Sequence, residues 1–210
     1  MSNTEVPDPV TYYAEQLKKH GVRPAAVDVT REGQQMRFQL LLDALGETHQ
    51  CSILDVGCGY GAFKEFLIAN GRWSADYTGV DICPEMVAAA EGMRPNTKFF
   101  LRDIVTNPFP RQYDFVVASG LFQFNHAWGP VEAMIKAMWD HTKGVLAFNM
   151  LSVSTPQAQW DNVEFHADPG RLENFCRSLT KLYTLDHGYR ENDFTMIMRR
   201  EPRQMLQNVG

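Results

Sequence analysis

The chain has 210 residues, is 44% hydrophobic and carries a formal net charge of −5 at pH 7, enough apolar material for one substantial core. The acidic balance argues against a nucleic-acid partner, because affinity for phosphate backbones comes mainly from Lys and Arg. The polar stretch Met1 to Pro9 lacks the basic and apolar regions of a signal peptide, and no run reaches the roughly 18 apolar residues that span a bilayer, so a cytoplasmic location with no membrane partner is expected.

Asp8-Pro9 reads as an N-cap with proline at the first helical position, and Gly21 closes that short helix, which carries Tyr12, Tyr13 and Leu17. A second helix is expected from Thr30 to Leu45, where Phe38, Leu41, Leu42 and Leu45 recur on one face before Gly46. From residue 51 the pattern changes to short apolar runs alternating with helical segments, the signature of parallel βαβ units. Strands are expected at Ile53 to Val56, Tyr77 to Ile82, Lys98 to Arg102, Tyr113 to Ser119 and Val145 to Met150. The intervening helices run from Gly61 to Ala69, from Pro84 through Ala90, and from Pro130 to a stop at Gly144. Asp168-Pro169 caps a last helix to Leu179, and Leu182 to Leu185 and Phe194 to Met198 follow as strands. The link between those two is shorter than the dozen residues a parallel crossover needs, so they pair antiparallel. One domain over 1–210 is expected, with N-terminal helices in 1–50 and the α/β core in 51–200.

The four cysteines, Cys51, Cys58, Cys83 and Cys176, contain no Cys-x-x-Cys pair and no nearby histidine at ligand spacing, so neither zinc nor disulfides are expected. The chemistry is carried elsewhere. Gly57, Gly59 and Ala62 fit the pattern G-x-G-x-x-G/A, and Asp81 follows at about the 20-residue spacing of a ribose-binding carboxylate. Glycines let a ligand approach backbone, and an acid ending the second strand accepts hydrogen bonds from ribose hydroxyls. Taken alone, this fits NAD and S-adenosylmethionine equally. Asp55, two residues before the first glycine, suits a cationic amino-acid ligand better than a pyrophosphate. Asp103, ending the third strand, is placed to receive an adenine amino group, and the closing antiparallel pair also favours the second cofactor.

At these residues the chain resembles the class I S-adenosylmethionine-dependent methyltransferases. Leu54-Asp55-Val56-Gly57-Cys58-Gly59-Tyr60-Gly61 is similar to their first motif, and Gly79-Val80-Asp81-Ile82 to their second. Phe100-Leu101-Arg102-Asp103-Ile104 resembles the adenine-binding segment, and Tyr113 to Gly120 the strand leading to the reaction site. The resemblance implies an α/β fold, a Rossmann-like three-layer sandwich whose mostly parallel seven-stranded sheet has an antiparallel closing strand and an N-terminal helical addition. It implies S-adenosyl-L-methionine as cofactor and a small-molecule acceptor at O, N or C. Asp55, Gly57, Cys58 and Gly59 would then face the cofactor, Asp81 and Ile82 the ribose side, Asp103 and Ile104 the adenine, and Ser119 and Gly120 the methionine end. Gln35-Met36-Arg37-Phe38 is similar to a segment of small bacterial and phage methyltransferases, which places Arg37 at the cofactor carboxylate, with a solvated arginine as the alternative. An NAD-dependent oxidoreductase and a noncatalytic cofactor-binding module are the alternative functions.

Other features have plainer readings. Asn107-Pro108-Phe109-Pro110 precedes the fourth strand and reads as a turn, and Cys58 as a small residue packed in the glycine loop. His126 is the one weak candidate for a catalytic base. Trp128, Trp160, His166 and His187 fall on loops expected on the acceptor side, and Tyr12 and Tyr13 either cover the pocket or pack their helix.

Overall fold

The computed structural model describes residues 7–46, 48, 50–72, 76–124, 127–154 and 164–201. Helices α1 (Pro9–His20) and α2 (Arg31–Leu45) come first, joined by a short 3-10 turn at Pro24–Val27. Then follow β1 (Ser52–Val56), α3 (Ala62–Ala69), β2 (Asp76–Asp81), α4 (Pro84–Met93), β3 (Lys98–Leu101), β4 (Tyr113–Ala118), α5 (Trp128–Asp140) and β5 (Thr142–Ser152). The chain continues through β6 (His166–Ala167), α6 (Pro169–Leu179), β7 (Tyr183–Arg190) and β8 (Asp193–Arg199). The caps read from the sequence at Asp8 and Asp168 form as side-chain bonds from the amides of Thr11 and Arg171, both at 2.9 Å, and the structure adds a third at Thr30, which accepts from the Gly33 amide at 3.1 Å.

The sheet runs β3-β2-β1-β4-β5-β8-β7, parallel except for β8, which pairs antiparallel with both neighbours. Strand alternation sorts the core into two layers. Leu54, Val116, Leu146 and Phe148 pack with Val131, Ile135 and Leu172 of α5 and α6. On the other face Ile53, Phe115, Val117 and Ala147 meet Phe38, Leu41, Phe63 and Val87 of α2, α3 and α4. The strand order reverses between β1 and β4, and the crevice beyond the carboxyl ends of the strands at such a point is where open α/β sheets bind ligands.

Three expectations need correction. Among the described residues the sheet has eight strands rather than seven, because β6 joins the seven-strand path by pairing parallel with Leu151 and Ser152 of β5. Strand β5 runs past the end of β4, whose last partner is Phe148, and His166–Ala167 takes the edge left open. A two-residue strand carries no periodicity, so the pattern does not reveal it. Strands β7 and β8 also extend toward each other until Arg190 faces Asp193, with a register shift between Asp186 and Arg190. Finally, Gly144 does not end α5, which runs from Trp128 to Asp140; the glycine lies inside β5. There β5 carries an extra residue against β4, since Tyr113 faces Thr142 whereas Phe115 faces Val145. A Cβ on Gly144 would stand 2.8 Å from the Asp114 carbonyl oxygen, so this glycine marks close backbone approach.

Gly144→Ala should therefore lower the free energy of unfolding in urea by about 1–3 kcal/mol. Gly92→Ala, inside α4 with open space around the added methyl, should be neutral or slightly stabilising. Equal effects of the two substitutions would show that the bulge tolerates a side chain.

Candidate active site

The glycine turn is built by backbone bonds before any side chain acts. The amides of Gly57 and Cys58 both donate to the Val80 carbonyl, at 2.8 and 3.0 Å, which pins the turn to the end of β2. Gly57 has a φ of 71°, a conformation that favours glycine, and a Cβ there would lie 2.7 Å from Leu121 Cδ1, so the turn and the segment after β4 pack closely against each other. The Cys58 thiol is buried, and burial holds its pKa well above the ordinary value, in keeping with an inert packing residue.

Two cavities flank this turn. The larger, 360 Å³, is lined by Gly57, Asp81, Ile82, Asp103, Ile104 and Gly120 among others. The smaller, 60 Å³, is lined by Arg37, Asp55, Gly57, Cys58, Gly59, Ser119 and Gly120 together with Gln34, Tyr60 and Gln123. Tyr13, Gly57 and Gly120 border both. The fold thus gathers every residue expected at the cofactor around one bipartite groove at the carboxyl ends of the strands.

Asp81 is more than a free acceptor: its carboxylate takes the Gly59 amide at 2.8 Å and the Cys83 amide at 2.9 Å. Burial pushes its pKa up while these amides hold it down. Each oxygen keeps a further lone pair for a ligand. Asp103 accepts from the Val105 amide at 2.9 Å and the Thr106 hydroxyl at 3.0 Å, stiffening the turn after β3. Ile82, 46% exposed, and buried Ile104 add apolar surface to the same cavity.

Asp55 is 2% exposed and accepts a bond from the Tyr77 hydroxyl. Burial raises its pKa to about 7, against the pull of that bond. Arg37 is not solvated: it is 8% exposed and its Nε lies 2.5 Å from Asp193 Oδ2. The sequence reading missed Asp193, and it also missed Asn149, whose amide oxygen receives the Gly120 amide at 3.0 Å while its nitrogen donates to Ser119 Oγ at 3.3 Å. Its signal was available, since Asn149 is a single amide within the apolar run Val145 to Leu151.

Tyr13 faces the groove, its hydroxyl donating to Gln123 Oε1, while its ring packs edge-on against Tyr12 and Phe124. Both earlier readings of this tyrosine hold together. Trp128 instead lies under the Arg171 guanidinium at 4.5 Å and against Phe165. His166 sits in β6 beside the Ser152 carbonyl, and His187 packs against Phe194. Asn107 to Pro110 lies outside any helix or strand, just after a turn at 104–106, and its Asn107 and Pro108 carbonyls accept from Arg102. His126 and Trp160 lie outside the described residues.

Residues 53–144 match the methyltransferase domain family. The protein Rv1506c of Mycobacterium tuberculosis, assigned as a methyltransferase, is 34% identical over 160 residues, which cover 71% of this chain and 93% of that one. The chain belongs to the class I S-adenosylmethionine-dependent methyltransferases. This methyltransferase is also 33% identical to the malonyl-acyl-carrier-protein O-methyltransferase of Acetivibrio thermocellus over 140 residues, 63% of this chain and 48% of that enzyme. In fold it is similar to the N-methyltransferase NodS from Bradyrhizobium japonicum in complex with S-adenosyl-L-homocysteine, with a TM-score of 0.67 at 17% identity over 91% of this chain and all of that one. The oxidoreductase reading of the glycine turn falls away. Among the described residues, no helix is long and apolar enough to cross a membrane.

The buried Asp55 gives a pH test. Its folded-state pKa, about 7, lies above the ordinary 3.8, so its contribution to stability is complete below about pH 4 and is lost as the pH rises through about 7. Asp55→Asn keeps an acceptor for Tyr77 but cannot ionise. The free energy of urea unfolding should fall across that window in the parent protein more steeply than in the variant; identical slopes would show that Asp55 does not titrate there.

Proposed function

We propose that this methyltransferase binds S-adenosylmethionine along the bipartite groove and methylates a small-molecule acceptor that enters beside Tyr13 and Gln123. The observation that carries the reading is the chemistry of the two lobes. The larger offers two carboxylates, Asp81 and Asp103, with apolar Ile82 and Ile104, which suits a nucleoside with ribose hydroxyls and an amino-bearing base. The smaller pairs a cation, Arg37, with a carboxyl, Asp55, which suits the carboxylate and ammonium of an amino-acid tail. The sulfonium then falls between the lobes, at Tyr13, Gly57 and Gly120.

The cofactor supplies an already activated methyl group, so the protein's work is to bind, align and exclude water. In this reading Ser119 and Gly120, fixed by Asn149, set the floor beside the reacting centre, and Tyr13 roofs it. Burial raises the Tyr13 phenol far above its usual pKa, so it acts as a hydrogen-bond donor and not as a base. The acidic net charge supports an acceptor other than nucleic acid. Helices α1 and α2 and the core work as one unit over 1–210, since Tyr13 and Arg37 come from those helices.

S-adenosylhomocysteine should raise the melting temperature with increasing dose and NAD should not. Asp103→Asn retains the Val105 bond but loses the charge, so it should weaken S-adenosylhomocysteine about 10-fold by calorimetry with unfolding unchanged. Tight binding of NAD, or an unchanged affinity in the variant, would defeat the assignment of the larger lobe. Turnover over a panel of small hydroxyl, amine and carboxylate acceptors tests the acceptor class, and methylation of DNA or RNA in preference to all of them would overturn it.

A further inference from the structure

We propose that Asp193 is a positioning residue for cofactor recognition, which holds the Arg37 guanidinium so that its two terminal nitrogens face the amino-acid carboxylate of the cofactor. The inference rests on the reading of Arg37 given above and extends it to a residue outside the groove, at the opposite end of the sequence.

Asp193 opens β8 and is 0% exposed, and its Oδ2 meets Arg37 Nε at 2.5 Å. Such a pair, taken out of water, gains little net stability over apolar side chains of the same size. Its consequence is geometric. A guanidinium is a rigid plane, so a carboxylate bound at Nε dictates where the fork formed by the terminal nitrogens points. That fork borders the smaller lobe: Nη1 lies 3.8 Å from where a Cβ on Gly120 would stand. Among the described residues the hydrogen bond of this guanidinium is the one at Nε, which leaves the fork to a ligand carboxylate. Without Asp193 the long side chain would sample several rotamers and lose that freedom on binding.

The hairpin supplies a second contact one helical turn away on α2. Arg190 faces Asp193 across the turn between β7 and β8, and its Nη1 lies 2.9 Å from where a Cβ on Gly33 would stand. Gly33 and Arg37 are four residues apart on one helix face. The hairpin tip therefore meets α2 at two successive turns, while the Tyr189 hydroxyl, 3.1 Å from Thr195 Oγ1, ties the two strands together beside the pair.

Calorimetry with S-adenosylhomocysteine and with 5′-methylthioadenosine, the same thionucleoside without the amino-acid tail, separates this role from a general loss of structure. Asp193→Asn should weaken S-adenosylhomocysteine about 10-fold and leave 5′-methylthioadenosine unchanged. Arg37→Met should show the same selectivity with a larger loss, and adding Asp193→Asn to Arg37→Met should cause no further loss. If Arg37→Met is selective but Asp193→Asn weakens both ligands equally or neither, the positioning role is overturned and the reading of Arg37 stands. If Arg37→Met itself shows no selectivity, the reading of Arg37 fails and takes the inference with it. Should the asparagine variant not fold, Asp193→Glu, which keeps the charge but moves it by one methylene, replaces it; an unchanged selectivity ratio there overturns the role as well.

Discussion

The Asp81 carboxylate, at the end of β2, accepts the amide of Gly59 in the glycine turn and the amide of Cys83 at the start of α4. Together with the Val80 carbonyl, which takes the amides of Gly57 and Cys58, it settles the polar backbone of the turn internally. Buried amides left unpaired would each cost on the order of 1–3 kcal/mol, so these bonds leave the turn little freedom to drift. The two lobes of the groove meet at Gly57, and their shape follows from where this turn is held. A residue that reads in sequence as a ligand-binding acid is thus first a structural clasp.

The N-terminal helices convert an open crevice into a groove with a roof and an end wall. Helix α1 brings Tyr13 over the junction of the lobes, where Gln123 holds its hydroxyl. Helix α2 buries Phe38, Leu41 and Leu42 against the same sheet face as α3 and α4, and that apolar anchoring delivers Gln34 and Arg37 to the smaller lobe. An amphipathic helix packed for its hydrophobic face carries its polar residues to fixed places as a consequence.

The charges of the smaller lobe come from distant parts of the chain. Asp55 belongs to β1 and is buffered by Tyr77 of β2, whereas Arg37 is balanced by Asp193 of β8. A buried charge needs a partner or it neutralises, and here the two solutions differ. The carboxyl of Asp55 takes a hydroxyl donor and a raised pKa, while the arginine, which cannot deprotonate, takes a carboxylate. The lobe therefore presents one fixed cation beside one acid whose charge a cationic ligand would favour.

The sequence by itself determined the alternation of strands and helices, the glycine turn, the acids Asp55, Asp81 and Asp103, and the helix caps at Asp8 and Asp168. All of these rest on local rules: side-chain periodicity, turn stereochemistry, and short-range bonds from a side chain to the next turn of backbone. Tertiary structure alone decided that Gly144 serves a bulge instead of a helix stop, that His166–Ala167 completes the sheet, that Asn149 fixes Ser119 and Gly120, and that Arg37 is paired with Asp193. Each of these depends on two segments far apart in sequence meeting in space, 156 residues apart for Arg37 and Asp193. Local pattern carries no record of such a meeting, because the partner is chosen by the register of the sheet and the packing of the helices across it.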